Sequence, residues 1–408
     1  MPVARRTVLG AGAALLVPTG AAQAIAGSTD ARLRAVLDGL ATEPTIDARR
    51  ARLAAIDEIG LSPGARLDLV TVRAGLAVDA ELERVPRDSD RRFELLVERR
   101  CGERVAAMEL HERLLGEWRT LADRADRLLA RLGFARGPIG DRFAAMFRDP
   151  RWLYPDNSAG RNRAVAEMNT RLDRARRRVP VLIGAVPPWS LDVAARRMTP
   201  TEEAAKKGGY RTLPKPGVVG SYFVDLADVR RRPSWSLGSV VHHELLPGHM
   251  IQLPIEATAG PHPLRLGYLS AFPEGWAVYA EQLMAEDGAF DGEDAMLLGH
   301  IHWLLFRVGR GLVDTGIHYK RWSQAKALET LRGIQGEPAY FAPFLIDIDR
   351  IAREPGSRAA EALVWLRLVD FRNRMTRRGR SIDAMRRFHQ LILEDGRKRL
   401  DTIGAQIG

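Results

Sequence analysis

Apolar residues recur along the first third of the chain at the three- and four-residue steps that line one face of a helix. Leu33, Val36, Leu37 and Leu40 keep that period, and so do Leu53, Ile56 and Ile59. Ser62-Pro63 reads as a side-chain cap followed by proline at the first helical position, where its missing N–H is not needed. The same spacing predicts helices over 93–115, 118–132 and 162–178. Between Pro180 and Pro233 the pattern changes. Pro187-Pro188, Gly208-Gly209, Pro214 and Pro216-Gly217 punctuate it, and Val218 to Val224 mixes β-branched and aromatic residues as a short strand does. Helical spacing then returns over 236–249, 274–285, 296–314, 323–332, 359–374 and 382–392. The expected architecture is mostly α: one large helical body with a small β-sheet beside the central helices. Residues 27–179 make its N-terminal helical part and 180–408 the remainder of the same domain, with no internal repeat and no separating linker.

Composition narrows the class. The chain has 408 residues, 46% hydrophobic and 28% charged, which suits a large buried core and excludes disorder. No apolar run reaches the roughly 18–20 residues of a membrane-spanning helix, so no integral membrane association is expected. A single cysteine, Cys101, excludes an intramolecular disulfide and a multi-cysteine metal site. Residues 1–24 have the layout of an export signal: Arg5-Arg6, an apolar stretch from Val8 to Val17, then Ala22-Gln23-Ala24 as a small-residue cleavage site. The paired arginines resemble the twin-arginine type, and the leader has no cysteine to carry a lipid. A soluble periplasmic or secreted protein is expected. The net charge is +11, from 62 basic and 51 acidic residues, two of the arginines being in the leader. The surplus is spread out, and the densest run, Arg174 to Arg178, sits late in a helical pattern without interleaved aromatics. That argues for a solvated helix face and against a nucleic-acid partner.

The chemistry concentrates in one window. Three of the nine histidines, His242, His243 and His249, fall within Val241 to Gln252. Glu244 follows His243, and the second histidine of the pattern stands six positions after the first. Histidines four apart on a helix are about 40° apart and face one metal, whereas six apart is about 240°. Pro247-Gly248 supplies the remedy, since proline removes a ladder hydrogen bond and glycine accepts unusual dihedrals. A broken helix swings His249 back towards His243. His242, one turn further from His249, is expected to support the site or lie at the surface. An open catalytic metal site needs a third protein ligand. Glu274 and Glu281 compete for it on spacing, with Asp225 as an outside candidate. His111 reads as a surface or satisfied core residue.

The strings HELLPGHMIQ and AFPEGWAVYAE, then Asp314-Thr315-Gly316-Ile317-His318 with Trp322-Ser323, resemble the bacterial family filed as domain of unknown function 885. Gly220 to Val224 fits the same pattern, and the likeness spans about residues 187 to 350. Members are thought to be mostly helical zinc peptidases. The resemblance implies zinc bound by His243, His249 and Glu274, with Glu244 as general base and with Arg310 and His318 lining the site. It makes His318 a donor to the oxyanion and Asp314, one turn before it, an orienting partner for His318 or a ligand histidine. Residues 180–408 would then be the metal-binding catalytic part, with a peptide or peptide-like amide as substrate. The strand near Tyr222, taken as a sheet edge, is expected to hold an extended peptide through main-chain hydrogen bonds.

Two features depart from the family pattern. Members are usually longer, and two tyrosines are replaced by Ile351 and Glu361, with Tyr319 and Tyr340 as possible stand-ins. Arg350 is expected either to bind a substrate carboxylate or to sit in an ion pair. A metal-containing binding protein without catalysis, and an amidase for a non-peptide substrate, are the alternative functions.

Overall fold

The computed structural model describes residues 20–205, 207–338, 343–376 and 381–408, with side chains from residue 29 onward. Its axis is the helix Asp294–His318. This segment is apolar nearly all round, and every residue from Leu298 to Gly316 except Arg307 is buried. A helix of that kind belongs inside a protein. Ala107–Arg131, Ser234–Val240, Gln324–Gln335 and Ser357–Thr376 pack around it. The main hydrophobic cluster runs from Phe93 to Ile403 across these helices, and a second gathers Leu33 to Leu76 with Tyr268.

Local signals set most of the helix starts. Ser62 accepts the Ala65 N–H with Pro63 behind it, Ser323 accepts that of Lys326, and Ser381 that of Ala384. Each such cap is worth about 1 kcal/mol. The helical run expected over 93–115 breaks earlier than the periodicity implies, into Asp90–Cys101 and Ala107–Arg131. Gly102 ends the first helix at φ 75°, its N–H donating to the Glu98 carbonyl at 2.7 Å. Gly116, where a break was expected, lies inside the second helix, held there by the buried Leu110, Leu114, Leu121 and Ala125.

The small sheet has three strands, β1 (Val193–Arg197), β2 (Tyr210–Thr212) and β3 (Gly220–Val224). β3 lies in the middle, parallel to β1 and antiparallel to β2. Only β3 was legible in the sequence, because β1 and β2 are short and arginine-bearing. Among the described residues no helix is long and apolar enough to cross a membrane. The expected export signal, residues 1–24, lies outside the described residues except for its last five, which open the helix Gly20–Asp38.

Candidate metal centre

The helix expected over 236–249 is broken, as the Pro-Gly pair requires. Ser234–Val240 is α-helical, Val241–Leu245 widens into a π-turn, Leu246 is extended, and a new helix starts at His249. The Leu246–Pro247 peptide bond is cis. Gly248 is needed for close approach: a Cβ there would lie 1.9 Å from the His243 carbonyl oxygen and 2.4 Å from that of His242. Carbonyls freed by the break find partners. The His242 ring pairs with the Leu246 carbonyl through Nδ1 at 3.1 Å, and the Trp276 indole donates to Pro247 and Gly248 at 3.1 and 3.3 Å. Trp276 comes from the next helix, Phe272–Glu286, two residues after Glu274. One helix therefore pins the break and delivers the third candidate ligand.

The side chains converge. His243 Nε2 lies 3.5 Å from Glu274 Oε2, and His249 Nε2 lies 3.4 Å from Glu274 Oε1. Ligand atoms from all three residues lie within 4.8 Å of one another. Two atoms each about 2.0–2.1 Å from a tetrahedral zinc would be about 3.3 Å apart, so the spacing fits such an ion. Both nitrogens of His249 are buried without a hydrogen-bond partner, as are both amide atoms of Gln252. Orphaned buried nitrogens are rare in folded proteins, and a cation taking a His249 lone pair would resolve one of them.

Glu281, weighed on spacing as a ligand, has a different place. Its Oε1 pairs with His243 Nδ1 at 2.7 Å, and its Oε2 accepts from the Ser239 hydroxyl at 2.5 Å. A carboxylate there holds the proton on Nδ1 and leaves the Nε2 lone pair facing Glu274. Burial opposes charge on His243, yet the flanking Glu274 and Glu281 prevail and raise its pKa to about 9. Glu274 is buried too, and the two histidines hold its pKa well below the usual carboxylate value. Burial lowers that of His249. Without a metal the cluster therefore retains a proton that a cation would have to displace. Asp225 is outside the cluster, accepting the Ala227 N–H.

Glu244 faces a cavity of about 310 Å³ that His243 and Glu274 also line. Its Oε2 accepts from Arg211 Nε of β2 at 3.0 Å and from Nη2, while Oε1 has no hydrogen bond among the described residues. Four more arginines line the cavity: Arg307, Arg310, Arg350 and Arg358. Arg307 was not anticipated. Its Nη1 lies 3.3 Å from Glu274 Oε2 and its Nη2 3.2 Å from His243 Nε2. The available signal was an arginine inside an otherwise apolar helix, three positions before Arg310. Arg310 meets Asp347 at 3.0 Å through Nε, and Arg358 meets Glu361 at 2.6 Å. Glu361 thus stands in the tyrosine's place as a tether for an arginine of the wall. Arg350 lines the cavity as expected and has no acidic partner among the described residues.

Other expectations need correction. His318 is absent from the cavity wall; its Nε2 pairs with the Ile351 carbonyl at 3.1 Å and its ring stacks on Phe93. Asp314 is 3.8 Å from His318, too far to orient it. It instead accepts the N–H groups of Gly356, Arg358 and Ala359 at 2.9, 2.9 and 3.0 Å, capping the start of Ser357–Thr376. A helix periodicity aligns Asp314 and His318 but cannot say what they meet. Tyr222 is buried in the middle strand, whose two edges pair with β1 and β2, so no peptide can add there. It instead backs His243 and Glu244 in a separate void of about 20 Å³. His242 is buried, packed edge-on against Phe290, and serves the break without a hydrogen bond to any of the three clustered residues. His111 is a satisfied core residue, its Nδ1 2.7 Å from Thr315 Oγ1. Tyr319 is absent from the cavity wall, and Tyr340 lies outside the described residues.

A family model described as a bacterial protein of unknown function (DUF885) matches residues 11–407. No curated protein matches the chain significantly. Two solved structures share the fold. One, described as a candidate lipoprotein from Colwellia psychrerythraea, is 22% identical, with a TM-score of 0.70 over 93% of this chain and 68% of that one. The other, a candidate lipoprotein of unknown function from Shewanella oneidensis, is 18% identical, with a TM-score of 0.63 over 93% and 73%.

Proposed function

The chain belongs to the DUF885 family, and from that premise we propose that it is an exported zinc-dependent metallopeptidase acting on peptide or peptide-like amide bonds. The observation that carries the reading is the convergence of His243 Nε2 and His249 Nε2 on the two oxygens of Glu274, at 3.5 and 3.4 Å, with both His249 nitrogens otherwise unpartnered. His243, His249 and Glu274 would hold the ion. When bound, zinc acts as a Lewis acid towards water and the scissile carbonyl.

The chain's own residues supply the rest. Glu244 lines the cavity as the proton acceptor, with Oε1 free of hydrogen bonds among the described residues, while Arg211 holds Oε2. The proton it takes goes on to the leaving amine. Glu281 holds the His243 ring in one tautomer. The donor role expected of His318 falls to Arg307, whose Nη2 is 3.2 Å from His243 Nε2 and which lines the cavity. A donor to a developing oxyanion contributes about 3 kcal/mol. Export rests on the leader sequence, and the lipoprotein descriptions of the two structural neighbours are compatible with it.

Metal analysis of the purified protein tests the first half: one zinc per chain is expected, and none either as purified or after reconstitution overturns the reading. Glu244→Gln tests the second, since it should retain zinc and lose about 10²- to 10⁴-fold in peptide hydrolysis. Unchanged turnover removes Glu244 from its role. The Arg211 ion pair on Glu244 favours a second reading, a binding protein that keeps the metal as a staple. Peptide binding by the zinc-loaded parent without cleavage selects it.

A further inference from the structure

Of the five guanidinium groups on the cavity wall, four face an acid and Arg350 faces none among the described residues. Arg310 is the unusual one among the four. Its side chain is more than nine-tenths buried, yet its one acid, Asp347, approaches from the side, at Nε. The two terminal nitrogens have no hydrogen bond among the described residues. Nε is buried and makes no hydrogen bond despite that contact, and the open fork of terminal N–H groups has the geometry to meet the two oxygens of a carboxylate. The guanidinium carbon sits 4.8 Å from the centre of the Phe306 ring, which flattens the group against an apolar wall continued by Phe344 and Ile346. The cavity, about 310 Å³, is at the small end for ligand sites and suits a peptide of a few residues. Its charged wall and its candidate metal ligands enclose the same space.

We propose that this cavity selects short peptides by their free C-terminal carboxylate, which Arg310 and Arg350 clamp while the Phe306–Phe344–Ile346 surface takes the terminal side chain. Carboxylate recognition stands by itself. Its consequence for cleavage rests on the peptidase reading above: water adds across a C–N bond close to the chain end, giving a carboxylate and a free amine, so the enzyme trims from the C-terminus.

The test measures equilibrium binding by calorimetry with N-acetyl-alanyl-phenylalanine as the free acid and as the C-terminal amide. The host is the Glu244→Gln variant, so that no turnover intervenes. The acid should bind about tenfold more tightly than the amide or better, as charge-assisted bidentate contacts allow. Arg350→Ala, a change at an exposed position, should bring the acid down to the amide's affinity with zinc content and unfolding midpoint unchanged. Arg310→Lys keeps a cation opposite Asp347 and loses the fork, and should remove part of the preference. Equal binding of acid and amide overturns the proposal. So does a preference that survives both variants, or an amide bearing a glutamate side chain that binds as tightly as the free acid. A preference for the acid in a protein that neither binds zinc nor hydrolyses peptides removes the peptidase reading and leaves this site standing. Equal hydrolysis of acid and amide substrates does the reverse.

Discussion

Two buried polar clusters in this molecule look alike in composition and differ in how completely they are satisfied. Around Glu256, Arg397 donates through its backbone N–H, Nε and Nη2 to both carboxylate oxygens at 3.1, 2.7 and 2.6 Å, and through Nη1 to the Leu266 and Leu269 carbonyls. Beside it Arg265 spends its donors on Asp68 and on the carbonyls of Gly64, Asp395 and Arg397. Around Glu274, by contrast, His249 has only the 3.4 Å approach of the carboxylate and no hydrogen bond, and the buried Nε of Arg310 has none either. The first cluster is closed and ties the C-terminal segment to the body. The second is incomplete in a way that a cation and an anionic ligand would complete. Unsatisfied capacity next to a cavity, rather than charge or burial, separates the candidate functional cluster from the structural one.

The largest expected effect breaks the closed cluster. Glu256→Leu leaves Arg397 buried without its carboxylate and should cost about 3–5 kcal/mol of stability. His249→Leu in metal-free protein keeps similar volume and removes two unsatisfied nitrogens, so its stability should stay within about 1 kcal/mol of the parent while metal binding is abolished. Urea unfolding of chelator-treated protein reads both. A large loss for His249→Leu would mean that the open cluster is structural after all.

Next in size, taken one histidine at a time, is acidification, which probes buried histidines outside the candidate ligand set. Burial lowers the pKa of His300 and His302 to about 4 and of His389 to about 3. Each is neutral when folded and takes up a proton on unfolding below about 6.5, the unfolded value. The stability they confer is complete above that pH and declines as the pH falls towards 4, by up to about 1.4 kcal/mol per unit for each histidine. An unfolding free energy that stays flat between pH 6.5 and 4.5 would refute the assignment. The smallest effect sharpens the open cluster itself. Glu281→Gln retains the size of the group behind His243 and loses its charge, and should weaken zinc about 10- to 100-fold with the fold intact. Competition with a chromophoric chelator measures it; an unchanged affinity would remove Glu281 from its supporting place.

Local sequence order carried the helical body well, because side-chain caps such as Ser62, Ser323 and Ser381 and the apolar period are short-range signals. It carried the approach of His243 and His249 for a related reason: the Pro247-Gly248 interruption is written next to the histidines it repositions, whereas spacing left Glu274 level with Glu281 and only the family resemblance singled it out. Long-range partners were less legible. His318 and Asp314 are one turn apart on the central helix, and nothing in their spacing says that one meets Ile351 and the other caps Ser357–Thr376. Tyr222 lies in a legible strand, yet its burial depends on β1 and β2, whose arginines hide them from a pattern search.

What the sequence determined by itself is a mostly α chain with a break built into its histidine helix, since helix periodicity, capping and the dihedral limits of proline and glycine act over a few residues. Tertiary packing alone decided which charges stay open. The pairing of Arg211 with Glu244, the seat of Glu281 behind His243 and the entry of Arg307 beside Glu274 each join segments more than thirty residues apart. A buried group's hydrogen-bond account closes only when every neighbour is in place.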